Sequence, residues 1–101
     1  MTFKIRLTDN AATLMRRAGY SFQKHVGDDE MAFVRPLGRG DFPRFHIYAR
    51  EESFGTLIVN IHLDAKRETH GARAAHGGEY STDGALGDEV VRLKSLWSVI
   101  E

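Results

Sequence analysis

The sequence predicts an α+β domain in which an antiparallel sheet of four to five strands packs two helices on one face. Several short segments alternate apolar and polar residues, which is typical of strands with one buried face. Two other segments carry apolar residues at helical spacing. A length of 101 residues with 42% hydrophobic residues suits one domain, residues 1–101, with enough apolar side chains for a core.

The composition and the motifs exclude several classes of protein. The chain has no cysteine, which excludes disulfides, thiolate metal sites and cysteine nucleophiles. It has no phosphate-binding glycine loop, dinucleotide fingerprint or nucleophile elbow. No apolar run is long enough to span a bilayer and no signal-peptide core is present, so we expect a cytoplasmic protein with no membrane partner.

The charge is distributed unevenly along the chain although its net value is zero. Residues 1–50 hold nine Lys and Arg against five Asp and Glu, and residues 51–101 hold five against nine. A basic first half can attract an acidic partner such as RNA. Internal neutralisation between the two halves explains the same asymmetry without a partner.

The first half begins with a strand and a short helix. The strand is expected where alternating residues are apolar: Phe3, Ile5 and Leu7. Asp9 or Asn10 can cap the helix, whose apolar face comprises Ala11, Leu14, Met15 and Ala18. Gly19 is expected to end this helix in a left-handed conformation.

Two further strands are expected before the middle of the chain. Residues 20–22 alternate as a short strand, and a turn at residues 26–30 precedes a strand from Met31 to Leu37. Pro36 has no N–H for a sheet ladder, so this strand either ends there or lies at an edge. An exposed edge at residues 31–37 would allow pairing with a partner protein.

The strands at residues 44–50 and 56–64 are the clearest predictions, and we expect them to be antiparallel neighbours. One face is apolar and includes Phe45, Ile47, Ala49, Leu57, Val59, Ile61 and Leu63. The opposite face includes His46, Tyr48, Arg50, Ile58, Asn60, His62 and Asp64.

The remaining sequence predicts a long loop and a final helix. Residues 65–84 are polar and glycine-rich, and loops of about 20 residues are usually functional or disordered. Asp83 can cap the helix that follows. Its apolar stripe comprises Leu86, Val90, Leu93, Trp97 and Ile100, and Trp97 is expected to anchor it in the core.

A candidate metal site begins with His62 and Asp64. They are two residues apart on a strand, so both side chains leave the same face, with α-carbons about 7 Å apart. One more ligand would complete a two-histidine, one-carboxylate set suited to a divalent metal ion with open coordination positions. The candidates for this ligand are His46, His70, His76 and Glu79, and the predicted metal set is His62, Asp64 and His76.

The same residues suit chemistry without a metal, so the sequence leaves enzymatic activity open. The predicted catalytic group is His62, Asp64, Lys66 and Glu79, in which a carboxylate orients the histidine and the lysine stabilises an anion. The predicted binding residues are His46, Tyr48, Asn60 and Tyr80. Alternatively, these side chains simply face water on the open side of the sheet.

The second half of the chain resembles a group of short bacterial proteins. The resemblance covers about residues 12–95 and depends on two patterns, Asn60-x-His62-Leu63-Asp64-x-Lys66 and His76-x-Gly78-Glu79-Tyr80. It implies that the strand His, Asp and Lys occur together with the loop pattern. It implies no particular reaction, so a small binding or catalytic module, with or without a metal ion, is our leading hypothesis.

A more remote pattern is similar to HicA-type toxin ribonucleases, which have a fold like that of double-stranded-RNA-binding domains (dsRBD). It consists of a helix ending in Ala18-Gly19-Tyr20, strands containing residues 45–48 and 59–62, and a final helix. The similarity implies a dsRBD/HicA-like architecture and an RNA-interacting module as the alternative function. The family's Gly-Ser-His is Pro43-Arg44-Phe45 here, so only His46 can replace its catalytic histidine.

Overall fold

A computed structural model of the protein describes residues 1–65 and 84–100. Six strands and two helices lie in these two ranges. In chain order they are β1 (Thr2–Arg6), α1 (Ala11–Arg17), β2 (Ser21–Val26), β3 (Glu30–Pro36), β4 (Arg44–Ser53), β5 (Thr56–Asp64), α2 (Ala85–Leu96) and β6 (Ser98–Val99). The strands form one antiparallel sheet in the order β2-β3-β4-β5-β1-β6.

The expected sheet of four to five strands with a dsRBD/HicA-like architecture is therefore wrong. The additional strand is β6, which forms where the sequence predicted the last turn of a helix. The backbone of Trp97 is extended, and Ile100 N–H donates to the Lys4 carbonyl at 2.8 Å. The free edge of β1 thus offers this segment hydrogen bonds that replace those of another helical turn. As a result Ile100 is about half exposed instead of buried.

The first helix follows the sequence prediction at both ends. The Asn10 side chain accepts a hydrogen bond from the Thr13 N–H at 2.9 Å, which caps the helix. After the C-cap Ala18, Gly19 has φ +97°. This left-handed conformation ends the helix, and Tyr20 N–H then donates to the Met15 carbonyl at 3.0 Å.

Strand β3 is internal, so the proposed edge pairing through residues 31–37 is wrong. It pairs with β2 on one side and with β4 on the other. Pro36 is its last residue, which is the alternative position that a residue without an N–H can take. The strand β2 is longer than the predicted residues 20–22 and covers the β3 edge.

The core lies between one face of the sheet and the two helices. Alternate residues of β1, β3, β4 and β5 join buried side chains of α1 and α2 in one cluster, whose largest fully buried members are Phe33, Ile5, Met15, Ile47, Leu57, Ile61, Leu93 and Val59. Trp97 is also buried and its ring lies 6.4 Å from that of Phe3. The opposite face of the sheet, which we call the open face, carries the polar residues of the same strands.

The structure describes the start of α2 from its N-cap onward. Its N-cap is Gly84, which has φ +81° and gives no side-chain cap. The predicted cap Asp83 lies outside the described residues, as do residues 66–82 of the predicted loop. Neither of the two described helices is long and apolar enough to cross a membrane.

A buried carboxylate connects α2 to the first half of the chain. Glu89 is 4% exposed, and it accepts hydrogen bonds from the Tyr20 hydroxyl at 2.6 Å and from Arg92 at 2.8 and 2.9 Å. Arg35 approaches it at 3.5 Å. Arg92 also donates to the Ala18 carbonyl at 2.7 Å. The charge of Glu89 is therefore balanced inside the core, as a buried ion requires.

Burial raises the pKa of Glu89, but the surrounding donors outweigh this effect. Hydrogen bonds from Arg92 and Tyr20, with the charges of Arg35 and Arg92, hold its pKa below the ordinary value of 4.5. Burial, together with the Glu89 hydrogen bond, raises the pKa of Tyr20 well above its ordinary value. The carboxylate and the neutral phenol are thus the forms that the folded state stabilises.

Replacement of Glu89 by alanine should destabilise the fold by about 3 kcal/mol, because it leaves Tyr20 and two guanidinium groups without their partner. The folded pKa of Glu89 lies below its unfolded value, so its contribution is complete above the unfolded pKa and is lost as the pH falls through the folded pKa. Urea unfolding of both proteins between pH 7 and pH 3 measures this difference. It should shrink on acidification, and a constant difference would contradict the assignment. E52A is the control, since the exposed Lys4–Glu52 pair contributes below about 1 kcal/mol.

Replacement of Gly19 by alanine should cost about 1–2 kcal/mol through its left-handed backbone alone. A methyl group there would also lie 3.2 Å from Arg35 Nε, whereas one at Gly27 (φ +70°) meets no atom within 4 Å. G19A should therefore be less stable than G27A in urea unfolding. Equal losses in the two variants would show that Arg35 moves aside without cost.

Candidate functional site

The candidate site lies on the open face, where β4 and β5 pair. Their register places His46 opposite His62 and Arg44 opposite Asp64. All four side chains leave the same face because they occupy alternate positions on each strand. The pairing thus gathers two imidazoles, one guanidinium and one carboxylate from two segments of the chain.

Asp64 is the centre of this group. Its Oδ2 lies 3.0 Å from His46 Nδ1 and 3.3 Å from Arg44 Nε, while its Oδ1 lies 3.8 Å from His62 Nε2. The carboxylate is about one quarter exposed. One oxygen is therefore hydrogen-bonded to β4, and the other faces the half-exposed ring of His62.

His46 is unusual among the polar residues of the open face because it is 6% exposed. It lies on an internal strand between Val34 of β3 and His62 of β5. The Tyr48 ring stacks on it with 4.6 Å between centroids and 30° between planes. Neighbours on both sides and along its own strand thus remove this imidazole from solvent.

Within the described ranges, one nitrogen of His46 has no hydrogen-bond partner. Since a carboxylate only accepts hydrogen bonds, the contact with Asp64 assigns the ring proton to Nδ1. Nε2 then carries a lone pair, and it is buried with no partner among the residues that the structure describes. Such a nitrogen is enclosed by protein and is a desolvated acceptor that the described residues leave unsatisfied.

Burial lowers the pKa of His46 below its usual value. The hydrogen bond and the negative charge of Asp64 oppose this change, while the nearby His62 and Arg44 add to it. The net direction favours the neutral ring, which is the form that coordinates metal ions.

One donor atom from each of His46, His62 and Asp64 lies within 4.8 Å of the other two. Donor atoms bound at about 2.1 Å to one tetrahedral ion are about 3.4 Å apart, so the largest separation has to close by about 1.4 Å. His62 is 42% exposed and has room to rotate. Two histidines and one carboxylate therefore can coordinate one divalent ion.

The other predicted site residues divide into two groups. Tyr48 lies at the site, with its ring centroid 5.5 Å from that of His62. Asn60 pairs with Tyr48 in the sheet and is exposed. The loop residues lie outside the described residues, so their roles stay predictions: Lys66, His70, His76, Glu79 and Tyr80.

Sequence reasoning missed Arg44 as a member of the site. Counting back two positions from His46 places Arg44 on the same face of the strand. Its side chain is 19% exposed, and its guanidinium lies 4.3 Å from the centroid of the Phe42 ring. The Tyr20–Glu89–Arg92 cluster was also missed, and no local pattern connects Tyr20 with Glu89.

Comparison with known proteins identifies no relative of this chain. No protein-family model matches it, and no curated protein or solved structure matches it either. The resemblances to the short bacterial proteins and to HicA-type toxins therefore stay predictions, as does RNA binding. The chemistry of the site has to be inferred from its geometry.

In the metal-free protein, His46 should carry its proton on Nδ1, whereas free imidazole side chains exchange between both nitrogens. Long-range proton–nitrogen correlation spectra distinguish the two tautomers. D64A should abolish the preference, because the carboxylate that accepts from Nδ1 is gone. His25, an exposed residue of β2, provides the internal control. A proton on Nε2 of His46 in the unmodified protein would contradict the hydrogen bond.

Proposed function

We propose that this domain binds a divalent transition-metal ion through His46, His62 and Asp64. The observation that carries the proposal is the convergence of one donor atom from each of these three side chains within 4.8 Å, with His46 Nδ1 3.0 Å from Asp64 Oδ2 and His62 Nε2 3.8 Å from Asp64 Oδ1. A divalent ion placed between these atoms would be held by both imidazoles and the carboxylate.

The donor types favour an ion such as Zn²⁺ over Mg²⁺ or Ca²⁺. The latter are bound almost entirely by oxygen atoms, whereas imidazole nitrogens suit transition metals. Three protein ligands leave at least one coordination position for water or a substrate, which is the pattern of catalytic rather than structural zinc sites. The function proposed is therefore a metal centre that can bind or activate a further ligand.

The position on the sheet supports a stable ligand geometry. His46 and His62 lie directly opposite each other on two strands that pair from Arg44 to Ser53. Asp64 lies 3.0 Å from Nδ1 of His46 in the metal-free protein, and an ion that both groups bind would take the place of the proton on Nδ1. Arg44 holds the same carboxylate from β4. His46 and Asp64 are thus held before an ion arrives, which lowers the entropic cost of binding, and His62 can rotate to complete the site.

The proposal predicts that Zn²⁺ raises the melting temperature of the protein, since it binds the folded state. At a free concentration 100 times its Kd the ion should add about 2.7 kcal/mol of stability. H62A, D64A and H46A should each weaken Zn²⁺ binding by a factor of at least about 10–100. Titration calorimetry with a competing chelator measures these constants.

H25A is the matched control, because it removes a histidine from the same sheet outside the site. H62A keeps the test valid if H46A fails to fold, since His62 is 42% exposed. Zn²⁺ affinity that is the same in H62A, D64A and H25A would overturn the proposal. So would a melting temperature that does not change with Zn²⁺, Co²⁺, Mn²⁺ or Ni²⁺.

A further inference from the structure

Arg44 borders the proposed metal centre, and its terminal amino groups have no acceptor among the described residues. Only its Nε contacts Asp64, at 3.3 Å. Among residues 1–65 and 84–100, no carbonyl or carboxylate accepts a hydrogen bond from its terminal amino groups. A guanidinium offers these groups as a planar fork that matches two oxygens of one anion.

The guanidinium is also held in place. Its cation lies over the Phe42 ring at 4.3 Å, and Asp64 fixes the Nε edge. The side chain is only 19% exposed. A positioned and partly desolvated guanidinium binds an anion more strongly than a mobile surface lysine does.

The charges of the described residues at the loaded site favour a second anion. A divalent ion and Arg44 bring three positive charges, and Asp64 brings one negative charge. Metal-bound histidines are neutral, so about two positive charges remain uncompensated at the open coordination position. A phosphate monoester carries about −1.5 to −2 at neutral pH and has three acceptor oxygens, whereas a phosphodiester or a carboxylate carries only one negative charge.

From this arrangement we infer that the metal centre binds a terminal phosphate group, with one oxygen on the metal ion and others on the Arg44 fork. The inference rests on the proposed metal function and names the ligand class of that site. Metal ions and arginines are the usual partners of phosphoryl oxygens in proteins. The chemistry recognised is the phosphate dianion, whether it is free phosphate or the end of an organic monoester.

Phenyl phosphate and Co²⁺ provide the test, because Co²⁺ replaces Zn²⁺ and its visible absorption reports ligands at the open position. The Co²⁺-saturated protein should change its spectrum on titration with phenyl phosphate. At Co²⁺ saturation, R44Q should bind phenyl phosphate at least tenfold more weakly. R44K should fall between the two, since it keeps the charge and loses the fork. R50Q, an exposed position on the same face of β4, is the matched control.

The outcomes separate the two proposals. If Co²⁺ does not bind, the metal function and this inference both fail. If Co²⁺ binds through His62 and Asp64 but phenyl phosphate binds equally well to R44Q, the metal function stands and the phosphate inference is overturned. Diphenyl phosphate that binds as tightly as phenyl phosphate would overturn the dianion assignment. Inorganic phosphate that binds within a few-fold of phenyl phosphate would show that the phosphate group alone is recognised.

Discussion

The antiparallel register of β4 and β5 is the constraint on which the rest of the molecule depends. Ile47 pairs with Ile61 and His46 with His62. A shift of one residue in either strand would turn its apolar face to solvent and its polar face to the core. Burial of the apolar side chains therefore also decides which polar side chains meet on the open face. The hydrophobic core and the candidate site are two consequences of the same pairing.

The two ionic clusters of the structure differ in how completely they are satisfied. Glu89 is surrounded by donors from Tyr20 and Arg92, with Arg35 close by. This cluster joins α2 to the segment that follows α1, and both oxygens of its carboxylate already accept hydrogen bonds. The open-face cluster is incomplete, because a buried nitrogen of His46 has no partner in residues 1–65 and 84–100. The first cluster is therefore structural, and the second is the place where a ligand would gain most.

The proposed metal and phosphate functions depend on the same carboxylate. Asp64 contacts His46 and Arg44 of β4, and it lies 3.8 Å from His62 on its own strand. In the metal-free protein it contacts His46 and Arg44, and in the proposed metal centre it would contribute an oxygen and keep the guanidinium beside the open coordination position. Such sharing makes the site sensitive to position, because a small movement of one side chain changes the contacts of three others.

The sequence by itself determined the features that depend on neighbours along the chain. Period-two alternation placed His46, His62 and Asp64 on the polar face of their strands, and helical spacing placed Leu93 and Trp97 in the core. It also identified Gly19 as the end of α1, because a left-handed residue at that place favours glycine. These predictions succeed because each depends on local backbone geometry.

Only the tertiary structure decided the features that join distant segments. The sheet has six strands because the free edge of β1 captures residues 98–99, which local spacing had assigned to a helix. The register that sets Arg44 beside Asp64 depends on the turn between β4 and β5, and alternation alone does not specify it. Tyr20 meets Glu89 across 69 residues. Contacts of this kind arise from the packing of whole elements, whereas a local pattern specifies only which face a residue occupies.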